Sequence, residues 1–338
     1  MKLCFPEPTH GAQGGSATFR QNWLAWLDAQ GIPHTTNLAD AYDVLFVNAW
    51  QTPYIAIHRQ KRARPDLRVV QRVDGAGRDY GRTDMADALQ QAVNTLADVT
   101  IFQSHYSRRS TRDMYHIIAQ DGPVIHNPVD TTRFTPHGAP HPQLGPPPET
   151  PRLLTAIWSD NPRKGAPRLL ELARANPALE FIHIGHPLPE PPPNLTHFAH
   201  LDHAELAAAM RSAHIFLNLS ENDPCPNVVL EALASGLPVI YAPSGGTPEL
   251  VGSAAGLALG DEDHLADSVA QLMADWAAYH TAARCRAEAE FSFERIFSQY
   301  HQAIRAGVRR PLPTWWRHWF SRGQRARVWL WDKWQHIS

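Results

Sequence analysis

Residues 214–252, HIFLNLSENDPCPNVVLEALASGLPVIYAPSGGTPELVG, restrict the fold of this chain more than any other stretch. The apolar run at 214–219 has the length and composition of a buried strand, and a polar turn carrying Asp223 follows it. A helix is expected to open near Pro226, because proline's missing N–H goes unused in a first helical turn. Gly236 marks its end, where a left-handed backbone is common, and a second buried strand follows at 237–241. A strand–turn–helix–strand unit of this kind aims a helix N-terminus, with free N–H groups, at the carboxyl edge of a parallel sheet. That edge is where α/β folds bind phosphates. Asn227 and Glu231, four residues apart, share one helical face there. A carboxylate beside that terminus repels phosphate, so Glu231 is placed for neighbouring hydroxyls such as those of a ribose. The unit suits a nucleotide sugar.

The same alternation runs through the whole chain. Short buried strands are expected at 2–5, 44–48, 67–73, 99–103 and 123–125, with helices at 17–30, 84–96 and 106–119. Residues 135–151, TPHGAPHPQLGPPPETP, break every pattern and read as a linker or extended crossover. Beyond them strands are expected at 152–158, 180–184, 214–219 and 238–241, and helices at 164–175, 203–212, 264–279 and 284–306. This predicts two doubly wound α/β domains with parallel sheets. The expected bounds are 1–135 for the first domain, 136–151 for the linker and 152–283 for the second, with a helical stretch over 284–307 and a tail over 308–338. The 338 residues suit two domains, and 43% apolar residues suffice for two cores.

At this point the stretch around Asp223 resembles the donor-binding signature of retaining GT-B glycosyltransferases of the family 4 (glycosyl transferases group 1) type. The signature has two acids separated by seven residues, then a small-residue turn, a strand and a Gly-Gly-x-Pro-Glu loop. Here the acids are Asp223 and Glu231, and the loop is Gly245, Gly246, Thr247, Pro248 and Glu249. The family more often has Glu at the first acid. The resemblance implies two Rossmann-like domains facing a central cleft, with the stretch from 284 crossing back to the first domain. It also implies that Glu231 bonds the ribose, that Asp223 bonds the donor-sugar hydroxyls, and that Pro226, Asn227 and Val228 frame the donor turn. The alternative makes Asp223 a helix cap and Glu231 a solvated helix residue.

A second motif, Ser159-Asp160-Asn161-Pro162-Arg163-Lys164-Gly165, follows the first strand of the second domain and precedes a helix. Two cations and a glycine at a helix start form an anion site. By resemblance Lys164 neutralises the donor diphosphate. Ser159 stands where relatives carry an arginine, and Arg163 is the expected substitute. The competing reading is a solvated turn. Gly14 and Gly15 open the first long helix, and the resemblance implies that they line the cleft near the donor phosphates, a plain loop being the alternative. By resemblance too, Asp74, in Arg72-Val73-Asp74-Gly75, is the candidate for acceptor or transition-state contact, with Arg72 a weaker one and a turn cap the alternative. Asn127 and Asp130 are expected to shape the turn into the linker.

The resulting expectation is a retaining, metal-independent hexosyltransferase-like enzyme in cell-envelope polysaccharide biosynthesis. Its co-substrate is a nucleotide-diphospho-sugar, its acceptor a glycan or lipid-linked glycan, and it needs no cofactor and binds no nucleic acid. A nucleotide-sugar epimerase or phosphorylase on the same fold, or an inactive glycan-binding protein, is the alternative. His183-Ile184-Gly185-His186 spells a synthetase motif, but that motif must open a helix, and the prolines at 187, 189 and 191–193 forbid one. It reads instead as a strand end near the donor base. Asp261-Glu262-Asp263 reads as a helix cap, and none of the nineteen histidines forms a one-turn ligand pair. Three scattered cysteines give no disulfide framework, with Cys225 a small buried filler.

The start shows no basic-then-apolar signal region, so a cytoplasmic location is expected. From Arg305 on, eight basic residues face one acid, and six of the eleven tryptophans lie there. Cations and tryptophans on short amphipathic segments suit a peripheral site on an anionic membrane surface, or packing against protein. The basic segment 58–68 is expected on the same side.

Overall fold

The computed structural model describes residues 1–8, 15–81, 84–261 and 263–307. They form two compact units. The first comprises Met1–His126 together with the described chain from Phe297 on, and the second is Asn127–Ile296. Each unit is a parallel sheet with helices on both faces, the α/β architecture expected from the alternating pattern.

In the first unit β1 (Leu3–Cys4), β2 (His34–Thr35), β3 (Val44–Asn48), β4 (Arg68–Val73) and β5 (Val99–Phe102) lie in the order β2-β1-β3-β4-β5. Every residue of β3 is buried, and its apolar run reflects burial on both faces. One face is aromatic. Phe5 and Phe46 meet Phe19 and Trp23 of α1 (Gly15–Ala29), and Trp23 stacks on Trp26 at 5.4 Å. On the other face Leu45, Val47 and Val69 pack with Ile57 of α2 (Tyr54–Ala63) and Val93 of α3 (Asp84–Asn94). A short helix, α4 (His105–Arg108), follows β5.

The second unit holds β6 (Arg152–Ile157), β7 (Glu180–Gly185), β8 (Leu195–Phe198), β9 (Ile215–Asn218), β10 (Val239–Tyr241) and β11 (Gly256–Ala258), in the order β11-β10-β9-β6-β7-β8. Its helices are α5 (Ala166–Ala175), α6 (His203–Met210), α7 (Asn227–Ala234), α8 (Thr247–Val251), α9 (Leu265–Ala274) and α10 (Trp276–Arg286). Side chains alternate between faces, as the pleat requires. Leu154, Ile182, Phe216 and Val239 pack with Leu206 and Met210 of α6 and Val229 and Leu233 of α7. Their neighbours Leu153, Phe181, Ile215 and Ile240 pack with Leu169 of α5 and Val269 of α9. β6 comes first in the chain but lies inside the sheet, with later strands added on both sides. The order therefore reverses between β6 and β9, and the crevice beyond their carboxyl ends is where such sheets bind ligands.

Several elements depart from the sequence reading. The helix expected over 106–119 ends early: α4 passes into a wide turn, Arg109–Met114, and His116 adopts φ 52°. Residues 123–125 contribute one isolated bridge, Phe102 to Val124, instead of a strand. The helix expected over 264–279 is broken at Asp275, whose φ −133°, ψ 40° no helix accommodates. The stretch 284–306 is broken too. A wide turn at Ala287–Phe291 ends at extended Ser292, and α11 (Phe293–Ala306) begins anew. From Phe297 the chain rejoins the first unit, where Phe297 and Tyr300 pack on Phe19 and Trp23.

The basic segment 58–68 is largely consumed inside the first unit. Lys61 is buried and bonds both oxygens of Asp98 at 2.9 and 3.0 Å and the Leu96 carbonyl at 2.8 Å. Arg64 lies 3.9 Å from the Tyr42 ring centroid. Arg68 donates to the Ile304 carbonyl at 2.7 Å, a cation at the negative end of α11. Arg59 and Arg62 alone of these cations are exposed. No helix among the described residues is long and apolar enough to cross a membrane. The tail at 308–338 lies outside them.

Candidate functional site

The loops leaving β6 and β9 meet at the point where the strand order reverses. After β6 the chain turns tightly through Pro162–Lys164, with the Asn161 side chain accepting from the Arg163 N–H at 3.0 Å. Gly165 then takes a left-handed backbone, φ 89°, and a Cβ there would stand 2.5 Å from that of Leu219. Glycine is therefore required for both conformation and space. The loop leaving β9 is stitched to this turn by the Glu221 N–H, which donates to the Arg163 carbonyl at 2.7 Å. The motif that reads as one long helix over 164–175 is thus a turn, a glycine and then α5.

This stitching brings Lys164 to Asp223, 59 residues away, with Nζ to Oδ2 at 2.6 Å. Asp223 is 9% exposed, and its Oδ1 also accepts from the Cys225 N–H at 3.2 Å. Its backbone is gripped by the Gly245 loop. The Gly246 N–H donates to the Asp223 carbonyl at 2.8 Å, and a Cβ on Gly245 would come within 2.3 Å of that oxygen. Asn222, at φ 58°, donates its N–H to Ser244 Oγ. Acid turn, cation turn and glycine loop are one assembly.

α7 begins immediately after. Pro226 occupies its N-cap position, and no side chain caps the helix, so the first N–H groups, at Asn227 and Val228, point outward at a positive helix end. Asn127 fixes this terminus from outside. Its Nδ2 donates to Asn227 Oδ1 at 2.7 Å and to the Cys225 carbonyl at 3.0 Å, and its N–H to Cys225 Sγ at 3.3 Å. Asn127, expected to shape the turn toward the linker, holds the Cys225–Asn227 segment instead. Cys225 is buried, as expected, but also accepts a hydrogen bond. Asp130 does cap its own turn, through the N–H groups of Thr132 and Arg133.

Glu231 lies one turn into α7 and is 7% exposed. Among the described residues no hydrogen bond or ion pair engages its carboxylate, and burial pushes it up to about 7, only weakly opposed by the charge of Arg133. A solvated helix residue would not behave so. A nearly buried, unpaired carboxylate is costly and is retained where a ligand can supply the missing donors.

His183 and Ile184 lie within β7, not at a helix start. His183 is fully buried and stacks on His197 at 5.2 Å. Among the described residues no group of three His, Cys, Asp or Glu side chains gathers as a metal site.

The remaining sequence candidates belong to the first unit. Asp74 follows β4, and its Oδ1 accepts from the Gly75 N–H at 3.0 Å and from Gln103 at 3.2 Å, which makes it a turn cap. Both bonds fall on one oxygen. Arg72 is buried, donating to Asn48 at 2.6 Å and to Tyr300 at 3.1 Å over the Phe19 ring, so it serves packing. Gly15 is the first residue of α1, and Gly14 lies outside the described residues.

Residues 164–275 match the family described as glycosyl transferases group 1. A GDP-mannose-dependent alpha-mannosyltransferase of Mycobacterium tuberculosis (strain CDC 1551 / Oshkosh) is 32% identical over 260 residues. That match covers 68% of this chain and 64% of the relative, so the chain spans less than two thirds of it. Among solved structures, sucrose-phosphate synthase of Thermosynechococcus elongatus superposes with a TM-score of 0.74 at 18% identity, covering 90% of this chain and 98% of that one. HepE of Anabaena, in complex with UDP-glucose, superposes with a TM-score of 0.70 at 16% identity, over 90% and 100% of the two chains. The likeness to these two structures concerns the fold.

Proposed function

We propose that this chain, of the GT-B fold and the glycosyl transferases group 1 family, moves a sugar from a nucleotide-diphospho-sugar to a glycan or lipid-linked acceptor with retention of configuration. One observation carries this reading above the others. Lys164, paired with Asp223, stands beside an uncapped helix terminus and a buried, unpartnered Glu231, all where the strand order reverses. The GDP-mannose and UDP-glucose named with two of the similar proteins support a nucleotide-sugar as donor.

In this reading Lys164, with Arg163 and the N–H groups of Asn227 and Val228, meets the negative charge that develops on the departing diphosphate. The cations are the chain's own, so no metal and no cofactor is called for. Asp223 exchanges its bond to Lys164 for the donor-sugar hydroxyls. Glu231 accepts from the ribose. Asp74 turns its second carboxylate oxygen to the acceptor. With no protein nucleophile invoked, the acceptor attacks the face from which the diphosphate leaves. The basic, tryptophan-rich 308–338 holds the enzyme peripherally on the inner face of the membrane, for cell-envelope polysaccharide assembly.

A panel of UDP-, GDP- and ADP-sugars tests the donor reading through binding and slow release of nucleoside diphosphate. One donor is expected to bind and be hydrolysed, and the anomeric form of the released sugar reports retention. A chain that binds none of them is not a transferase of this kind. Sedimentation with anionic vesicles is expected to depend on residues 308–338.

A further inference from the structure

We infer that Trp158 is the platform on which the donor's nucleobase stacks. The inference rests on the reading of the second unit as a nucleotide-sugar site. Trp158 is the first residue beyond β6, on the crevice where the strand order reverses. It is 45% exposed, and among the described residues only Met1 and Met114 are other large hydrophobics so open to water. Single exposed apolar residues are ordinary on a protein surface. Position and rigidity set this one apart.

The indole is held from below and from the side. It rests on Gly185, the last residue of β7, where an added Cβ would come within 3.2 Å of indole Cε3. His200 meets the ring edge-on, with centroids 6.1 Å apart at 65°. The supporting backbone is itself pinned. The His186 N–H donates to the Ile157 carbonyl at 2.7 Å. The buried His183 places Nε2 2.8 Å from the His186 carbonyl, and His197 places Nε2 3.0 Å from the Gly185 carbonyl. A ring so held loses little freedom when a second ring lies on it.

Charge and apolar surface are also separated around the crevice. The cation Lys164 and the α7 terminus lie on the β9 side, and the open indole lies toward β7. A nucleoside diphosphate has the same polarity, with phosphates at one end and a flat aromatic base at the other. Placing the diphosphate at Lys164 leaves the base the β7 side, and there Trp158 offers the open aromatic surface.

Calorimetric titration of the full-length chain with UDP, GDP and ADP, and separately with inorganic diphosphate, tests the inference. For the nucleoside diphosphate that binds best, Trp158→Ala is expected to raise Kd about ten-fold or more, the scale of lost base stacking. Trp158→Phe should retain most of the affinity, and inorganic diphosphate should bind all three proteins equally. Unchanged nucleotide affinity in Trp158→Ala overturns the platform while leaving the donor site standing. So does an equal loss for inorganic diphosphate, which marks a structural residue, or a loss seen with nucleotide-sugar but not with nucleoside diphosphate, which makes the indole a sugar platform. A wild-type chain that binds no nucleoside diphosphate overturns the donor site and the platform together.

Discussion

The carboxyl edges of the two sheets use polar residues in opposite ways. In the first unit most of the polar groups close on one another, with Asn94 Oδ1 a buried exception. Gln71 donates to the carbonyls of Ala49 and Gln90, Asn94 to Gln71 and Thr100, and Gln90 accepts from the Asp74 N–H. Arg72 joins Asn48 to Tyr300, and at the opposite, amino end of the same sheet Lys61 is held by Asp98 and the Leu96 carbonyl. In the second unit they stay open. Among the described residues Glu231 is buried without a hydrogen-bond partner and no side chain caps α7, and Trp158 faces water. Satisfied buried networks lend stability, and unsatisfied ones cost it. The second edge is paid for by its fold and held ready for a ligand.

The same substitution made in both units separates the two regimes. Lys61→Ala leaves Asp98, which is 2% exposed, with the Val69 N–H but without its cation, and removing one member of a buried pair costs about 3–5 kcal/mol. Chemical denaturation should show that loss. Lys164→Ala removes a cation whose side chain is 29% exposed, so the melting temperature should move little. Turnover should instead fall about 10²–10³-fold, the scale of a lost transition-state charge partner. If Lys164→Ala mainly unfolds the protein and Lys61→Ala mainly slows it, the distinction between the two units collapses.

Glu231→Gln should raise stability and weaken binding at once. In the unfolded chain this carboxyl ionises near 4.5, and in the folded chain near 7. Between those values the folded state keeps a proton that the unfolded state has lost, so wild-type stability falls as pH rises from 4.5 to 7 and is flat above. The full difference is on the order of 3 kcal/mol. Glutamine does not titrate, so the variant should match wild type near pH 4.5 and exceed it increasingly up to pH 7. Ribose hydroxyls favour the ionised carboxylate, so nucleotide affinity of the wild type should climb from pH 6 to 8 and that of the variant should not. Parallel pH profiles for the two proteins would leave Glu231 a structural residue.

The amino-acid sequence carries much of this contrast, though unevenly. Fully buried strands declare themselves, and 44–48 is legible to the residue because β3 sees no solvent on either face. Three of the four edge strands escape notice, since β2, β8 and β11 are short and partly exposed, whereas β5, with three of its four residues buried, is anticipated at 99–103. The expected helix over 106–119 fails at His116 and that over 284–306 at Ser292. There the tertiary setting imposes backbone angles that periodicity does not encode. The group 1 resemblance, carried by Asp223, Glu231 and the Gly245 loop, agrees with the family match over 164–275. The spending of Arg72 and Lys61 within the first unit is not legible, because a basic residue looks the same in sequence whether it packs or binds. Trp158 reads only as the end of a strand. The ion pair of Lys164 and Asp223 depends on a stitch between two loops, made by a backbone N–H at Glu221 that no motif records.

That pair offers the finest test of the open edge. On the proposed function Lys164 receives the diphosphate, and Asp223, its ion-pair partner, would then compete with that ligand for the cation. Asp223→Asn keeps an oxygen for the Cys225 N–H and removes the competing charge. Both side chains of the pair retain some exposure, so the pair contributes at most about 1 kcal/mol, and little stability should be lost. With the Asp223 charge removed, Lys164 should bind inorganic diphosphate about two- to five-fold more tightly, the same free energy read as affinity. The donor itself should bind less well, because its sugar hydroxyls lose a charged acceptor. Opposite shifts for the two ligands follow only if Asp223 serves the sugar and restrains the lysine. Weaker binding of both would mean that Asp223 only orients Lys164, and the second edge would then be as closed as the first.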